Sequence, residues 1–198
     1  NNEIFILGSA RIAIGSFGGS LSSISTINLA SSVCKAAIQR SKINASDVGQ
    51  VAFGHVINTE PKDMYLSRVA SLQADIPSAT PAMNVNRLCG SGAQAIVSVL
   101  QSLMLGDADF GLAGGAENMS RSPHIIPDAR WGQKMGDAIV TDMMIGALTC
   151  PFGTGHMGVT AENVAQEFNI SRQEQDSFAF ESQQRALLAI EQGRFKDQ

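Results

Sequence analysis

Asn86-Arg87-Leu88-Cys89-Gly90-Ser91-Gly92-Ala93-Gln94-Ala95-Ile96 is the stretch on which the fold turns. Just before it, Ala82-Met83-Asn84-Val85 is a strand candidate introduced by Pro77 and Pro81. Just after it, Ala93, Ile96, Val97, Leu100, Leu103 and Met104 recur at i, i+3, i+4, i+7, and Ala95 and Val99 add apolar surface on other sides. A helix apolar over most of its circumference is expected to be buried. Cys89 therefore falls on a tight strand-to-helix turn, where Gly90 and Gly92 are expected to let the backbone bend and a substrate come close. The start of a helix offers unpaired N–H groups and a positive dipole end, and both favour a thiolate. The same N–H groups suit the oxygen of a tetrahedral intermediate. The arrangement follows the logic of a nucleophile elbow, with sulfur in place of oxygen.

Outward from this turn, short apolar runs alternate with helical periods. Ile4-Phe5-Ile6-Leu7, ended by Gly8, suits a buried strand, and Gly15, Gly18 and Gly19 mark a loop. Helical spacing over residues 26–40 places Cys34 inside an amphipathic helix. Ser46-Asp47 reads as a turn, Val51-Ala52-Phe53 as a strand ended by Gly54, and residues 63–74 as a helix. Gly106-Asp107 stops the apolar helix, and Phe110-Gly111-Leu112-Ala113 is a further strand. Such alternation indicates an α/β layer. Residues 121–158, rich in Gly, Pro and Met and without a clean period, read as a long loop of the kind that is often functional. Helices return over residues 160–168 and 172–192, the second introduced by the capping box Ser171-x-x-Glu174. There is no internal repeat.

Composition narrows the function. Of 198 residues, 44% are hydrophobic and 16% charged, which is globular and not disordered. The net charge of −4 comes with no basic stripe, so nucleic acid is not an expected partner. The longest apolar stretch, residues 93–105, is read as too short and too polar for a bilayer, so no membrane is expected either. Asn1-Asn2-Glu3 is no secretory signal, the missing initiator Met suggests a trimmed tag or transit segment, and Lys196-Asp197-Gln198 matches no targeting tripeptide. Cys34, Cys89 and Cys150 are odd in number and widely spaced, which argues for a reducing compartment. The cytoplasm is the expected location, with a mitochondrial or peroxisomal matrix as the alternative. His55, His124 and His156 lack metal-ligand spacing, so no metal is expected. Cys34 and Cys150 are read as structural, the first as a small buried apolar group and the second as a loop residue with no activating neighbour in sequence.

At this point the residues carry a resemblance. Residues 86–96, quoted above, resemble the nucleophile motif of thiolases, the β-ketoacyl-CoA thiolases and acetyl-CoA acetyltransferases. Gly114-Gly115-Ala116-Glu117-Asn118-Met119-Ser120 is similar to the glycine-rich segment that follows in that family. Trp131-Gly132-x-Lys134-Met135-Gly136-Asp137 resembles part of its loop region. His156-Met157-Gly158-Val159-Thr160-Ala161-Glu162-Asn163-Val164-Ala165, continued by Ser171-Arg172-x-Glu174-Gln175-Asp176, is a further match. The resemblance covers essentially the whole chain, in order and at the family's spacing.

The resemblance implies ping-pong acyl transfer through a Cys89 acyl-enzyme, with the Cys89 N–H in an oxyanion hole. It implies that His156 and Met157 lie against the pantetheine of coenzyme A, with Leu148 as a further wall. His55 and His124 match no family site. The implied substrates are acyl-CoA, with coenzyme A or acetyl-CoA as substrate and no tightly bound cofactor, and the implied assembly is a homodimer or homotetramer. The implied fold is α/β, a five-layer α-β-α-β-α thiolase fold in the intact protein. Residues 1–120 would be the N-terminal half-domain carrying the nucleophile, and residues 121–198 the start of the loop domain that binds coenzyme A.

Departures are visible too. Arg11-Ile12-Ala13 stands where the family usually has R-T-P, and Thr59-Glu60-Pro61-Lys62-Asp63 differs from the commoner G-Q-N pattern, although Arg68 still matches. The family's second half supplies a G-H-P histidine that activates the nucleophile, an N-E-A-F asparagine and a C-x-G-G-G cysteine acting as acid and base. None of these motifs occurs in this sequence. The chain alone is therefore expected to be inactive or nearly so. Two other readings are a ketoacyl-synthase-like condensing enzyme, against which the H-M-G-x-T-A-E-N segment argues, and a folding or assembly module without activity.

Overall fold

The computed structural model describes residues 3–196, and Asn1, Asn2, Asp197 and Gln198 lie outside the described residues. The chain divides into two compact units, one running to Met144 and the other from Ile145 onward.

The first unit is built on a three-stranded parallel sheet of order β2-β1-β3, with β1 at Val48–Gly54, β2 at Ala82–Val85 and β3 at Phe110–Gly115. Parallel neighbours need crossovers, and helices supply them. Helix α1 (Thr26–Ser41) precedes β1, α2 (Leu66–Gln73) links β1 to β2, and α3 (Ser91–Leu105) links β2 to β3. Alternation of side chains along β1 decides the layers. Val51 and Phe53 pack with Ile27, Ala30 and Cys34 of α1 and Leu66 and Ala70 of α2. Ala52 points to the other face, where it meets Ala95 and Val99 of α3. The result is a helix layer, a sheet and a second helix layer. The central strand is covered on both faces, which is why it reads as a continuous apolar run.

The structure departs from the sequence expectations at three points. Ile4–Leu7 forms no strand, and Phe5 and Ile6 are largely exposed. A strand is made by a ladder partner, and this segment pairs with neither edge of the sheet, β2 or β3. Helix α3 is not buried all round. Ala95 and Val99 are covered by the sheet, while Ile96, Met104 and Leu105 face outward. A single three-stranded sheet covers one side of a helix only. By length and composition, the 18-residue window Leu88–Leu105 (mean hydropathy 1.4, 17% buried) is apolar enough to cross a membrane, contrary to the sequence expectation. Its packing against Ala52 accounts for one side of that apolarity.

Toward the end of the first unit the chain forms a two-residue ladder, β4 (His124–Ile125) with β5 (Thr141–Asp142), antiparallel. A short helix, α4 (Met143–Ala147), runs across the division. The second unit holds the antiparallel pair β6 (Thr149–Cys150) and β7 (Gly155–His156), then α5 (Met157–Glu167) and α6 (Arg172–Glu191). The expected capping box is formed: Ser171 Oγ accepts from Glu174 N at 3.2 Å, and Glu174 Oε2 accepts from Ser171 N at 2.8 Å. These two bonds satisfy donors that a bare helix start would leave unpaired.

Candidate active site

Strand β2 ends at Val85 and α3 begins at Ser91, so Cys89 lies in the five-residue connection, as the sequence implied. It is exposed. The turn owes its shape to Leu88 and not to the glycines. Leu88 has φ +48°, in the left-handed region, whereas Gly90 has φ −87°. A left-handed leucine is strained and must be held. Three side-chain contacts hold it. Asn86 Oδ1 accepts from Leu88 N at 3.0 Å, Ser91 Oγ accepts from Arg87 N at 2.8 Å, and the Ser91 hydroxyl donates to the Leu88 carbonyl. Gly90 N and Ser91 N donate to the Arg87 and Leu88 carbonyls at 3.1 and 3.0 Å, closing the turn on both sides of the thiol. Arg87 Nη1 reaches Gln94 Oε1 at 2.6 Å, tying the turn to the first coil of α3.

A glycine is required beneath this turn, at the end of β1. A Cβ on Gly54 would lie 2.6 Å from the Ser91 carbonyl carbon and 2.7 Å from Gly92 N, both backbone atoms that cannot swing aside. The bare Gly54 lets the N-terminus of α3 sit against the end of the central strand. A Cβ on Gly92, by contrast, would meet nothing, so its backbone is open to an approaching group.

The three residues expected to meet coenzyme A lie together in the second unit. His156 ends β7 and caps α5, its Nδ1 accepting from Gly158 N at 3.0 Å. An acceptor Nδ1 places any neutral-ring proton on Nε2. His156 is exposed, so it is no packed core histidine. Met157 is exposed and donates its N–H to the Leu148 carbonyl at 2.8 Å, which brings Leu148 beside the pair.

The other cysteines divide. Cys34 is buried as expected, and burial pushes its thiol up to about 12. Cys150 differs from the expectation. The Thr154 hydroxyl, followed by backbone groups of Phe152 and Thr154, holds its thiol below the usual range. Thr154 is four residues away, across the bend between β6 and β7. His124 sits in the β4–β5 ladder, its Nε2 3.9 Å from Asp142 Oδ2.

Sequence reasoning left His55 unassigned, yet the fold buries it beside the nucleophile turn, against buried Asp63 and a Glu117 that reaches solvent. The available signal was its position directly after Gly54, at the same end of a parallel sheet as Cys89.

With this geometry in view, the likenesses to known proteins are informative. The thiolase N-terminal domain family matches residues 4–198. The chain is 54% identical over 196 residues to the beta-ketothiolase BktB of Cupriavidus necator, covering 99% of this chain and 50% of that protein. It is 43% identical to an acetyl-CoA acetyltransferase of Chromobacterium violaceum, again over 99% of this chain and 50% of the relative. Human mitochondrial 3-ketoacyl-CoA thiolase, in two crystal structures of which one is in complex with CoA, superposes with a TM-score of 0.94 at 36% identity, over 98% of this chain and 49% of the other. The chain thus spans about half the length of the curated relatives it matches.

Proposed function

Because the chain belongs to the thiolase family, we propose that the intact protein is an acyl-CoA acyltransferase that condenses two acyl-CoA units to a β-ketoacyl-CoA, or runs the reverse thiolysis. The observation that carries the reading is the exposed Cys89 on a clamped turn directly before the N-terminus of α3. The Cys89 thiolate attacks the thioester carbonyl of an acyl-CoA. The carbonyl electrons move onto oxygen, where backbone N–H groups and the helix end stabilise them. Collapse expels the CoA thiolate, which takes a proton, and leaves the acyl group on Cys89. A second acyl-CoA, relieved of an α-proton, attacks that acyl group, and the Cys89 thiolate departs. The residues that move these protons in the family belong to motifs absent from this sequence, so this chain's part is to supply the nucleophile and its cradle.

His156, Met157 and Leu148 form the proposed contact with coenzyme A. The main-chain hydrogen bond from Met157 to Leu148 supports it, because it brings Leu148 next to the residue that follows His156. The solved relative in complex with CoA supports the ligand class. Residues 1–120 are proposed as the nucleophile-bearing half-domain and 121–198 as the start of the loop domain. Assembly into a homodimer or homotetramer is part of the same reading.

The test is intact mass of the full-length protein after brief exposure to acetyl-CoA. One acetyl adduct, located on Cys89 and lost in Cys89→Ala together with turnover, is expected. Undiminished turnover in Cys89→Ala would sink the proposal.

A further inference from the structure

His55 is 4% exposed, and its main-chain N–H donates to the carbonyl of Val85, the last residue of β2, at 3.0 Å. Its Nδ1 lies 3.0 Å from the Ala116 carbonyl oxygen and 3.2 Å from Glu117 Oε1. Both are acceptors, so Nδ1 carries a proton in either charge state of the ring. The other nitrogen, Nε2, faces Asp63 Oδ2 at 3.9 Å. Asp63 is wholly buried, and neither His55 Nε2 nor Asp63 Oδ1 has a hydrogen-bond partner. In the neutral ring Nε2 would be a bare acceptor opposite a buried carboxylate. In the imidazolium it is an N–H directed at one. Asp63 Oδ2 also accepts from Thr59 N and Thr59 Oγ1 at 2.7 Å and from Glu60 N at 3.2 Å, donors that carry no full charge, and the imidazolium adds the facing positive charge between the two acids. Burial pushes the ring's affinity for its second proton down. The hydrogen bonds with Glu117 and Ala116 and the charges of Glu117 and Asp63 outweigh that and leave it above its ordinary value.

From this clamp a chain of contacts runs to the thiol. Glu117 Oε2 accepts from Val56 N at 2.9 Å, and Oε1 accepts from Ile57 N at 3.1 Å. The Val56 carbonyl accepts from Asn86 Nδ2 at 3.5 Å, and Asn86 holds the N–H of left-handed Leu88, next to Cys89. The end of β2 contributes no titratable group here, since Asn84 and Asn86 line this side with His55.

We infer that His55, held as a cation between Asp63 and Glu117, is a positioning residue for the Cys89 turn, an inference that rests on Cys89 being the nucleophile proposed above. The expected consequence is a pH-dependent advantage. As the ring loses its proton, Glu117 loses its counter-charge and the strap at Val56–Ile57 loosens.

The experiment compares the full-length wild type with His55→Gln and Glu117→Gln. The rate of acetyl-CoA-dependent acylation of Cys89 is followed by mass across pH, and the His55 ring by imidazole NMR. His55→Gln is expected to slow acylation about tenfold or more at low pH. Wild type and variant should converge as pH rises through the raised ring value. Glu117→Gln should lower the pH at which the ring titrates and, in step, the pH at which acylation declines. Buried Cys34, which alkylating reagents should not reach while the fold is intact, monitors folding in each variant. A wild-type to His55→Gln ratio that is flat in pH, or a wild-type ring already neutral at about pH 6.5, overturns the inference. If His55→Gln unfolds, the Glu117→Gln arm decides, and ring titration and acylation that shift independently overturn it. A wild type that takes up no acetyl group sinks the thiolase activity instead, while the NMR titration still reports the charge on His55.

Discussion

The turn that holds Cys89 and the segment that holds His156 are built on different plans. The first sits at the C-terminal end of the parallel sheet and is tied by side chains from two separate stretches of sequence: Asn86 and Ser91 locally, and Glu117 through the strap after β1. The second is held by short-range bonds, Met157 to Leu148 and Gly158 to His156, and α5 and α6 contain no buried residue. The first region depends on packing, where one atom matters. The second depends on caps and hairpin bonds, where the loss of one bond stays local.

Gly54→Val probes the difference at its strongest. Its Cβ would meet backbone atoms of Ser91 and Gly92 below 3 Å. A loss of roughly 3 kcal/mol in denaturant stability is expected, along with slower Cys89 acylation. An unchanged midpoint would mean that α3 shifts freely on the sheet and that the contrast is false. Ser171→Ala probes the other region. It should cost about 1 kcal/mol, seen as faster amide exchange confined to the first turns of α6. Exchange that spreads to β1 would show that the two regions are less distinct than their packing suggests. The smallest effect is that of pH. A ring whose folded value is raised contributes stability in full below its ordinary value and loses it as pH rises through the raised one. Burial subtracts from what the two carboxylates add at His55, so only the remainder is visible. Stability of the first unit should therefore decline modestly above about pH 6.5, and the decline should vanish in His55→Gln. A decline that persists there would have to come from another group.

Much of this architecture was legible from residues. Val51-Ala52-Phe53-Gly54, Ala82–Val85 and Phe110–Gly115 announced themselves as short apolar runs beside turn residues, and the 3.6 period of α3 fixed where Cys89 had to fall. What escaped was set by partners distant in sequence. Ile4–Leu7 has the composition of a strand but no ladder beside it. The exposed side of α3 depends on how far one sheet extends. Leu88 adopts a conformation that its side chain disfavours, because Asn86 and Ser91 hold it there. The His55 cluster joins residues 8 and 62 positions apart in the chain, a separation that no local pattern signals.

The double bond-making of Ser91 has a consequence for how the sulfur moves. With Arg87 N and the Leu88 carbonyl, both before Cys89, engaged by one hydroxyl two residues after it, and with Gly90 N and Ser91 N bonded back across it, the backbone that carries Cys89 has little freedom left. Between that backbone and the sulfur there is a single torsion, and a torsion between two tetrahedral carbons has three staggered wells. The reactive atom therefore chooses among three discrete places and does not sweep a volume, so its arrival at a bound thioester becomes a matter of which rotamer is occupied.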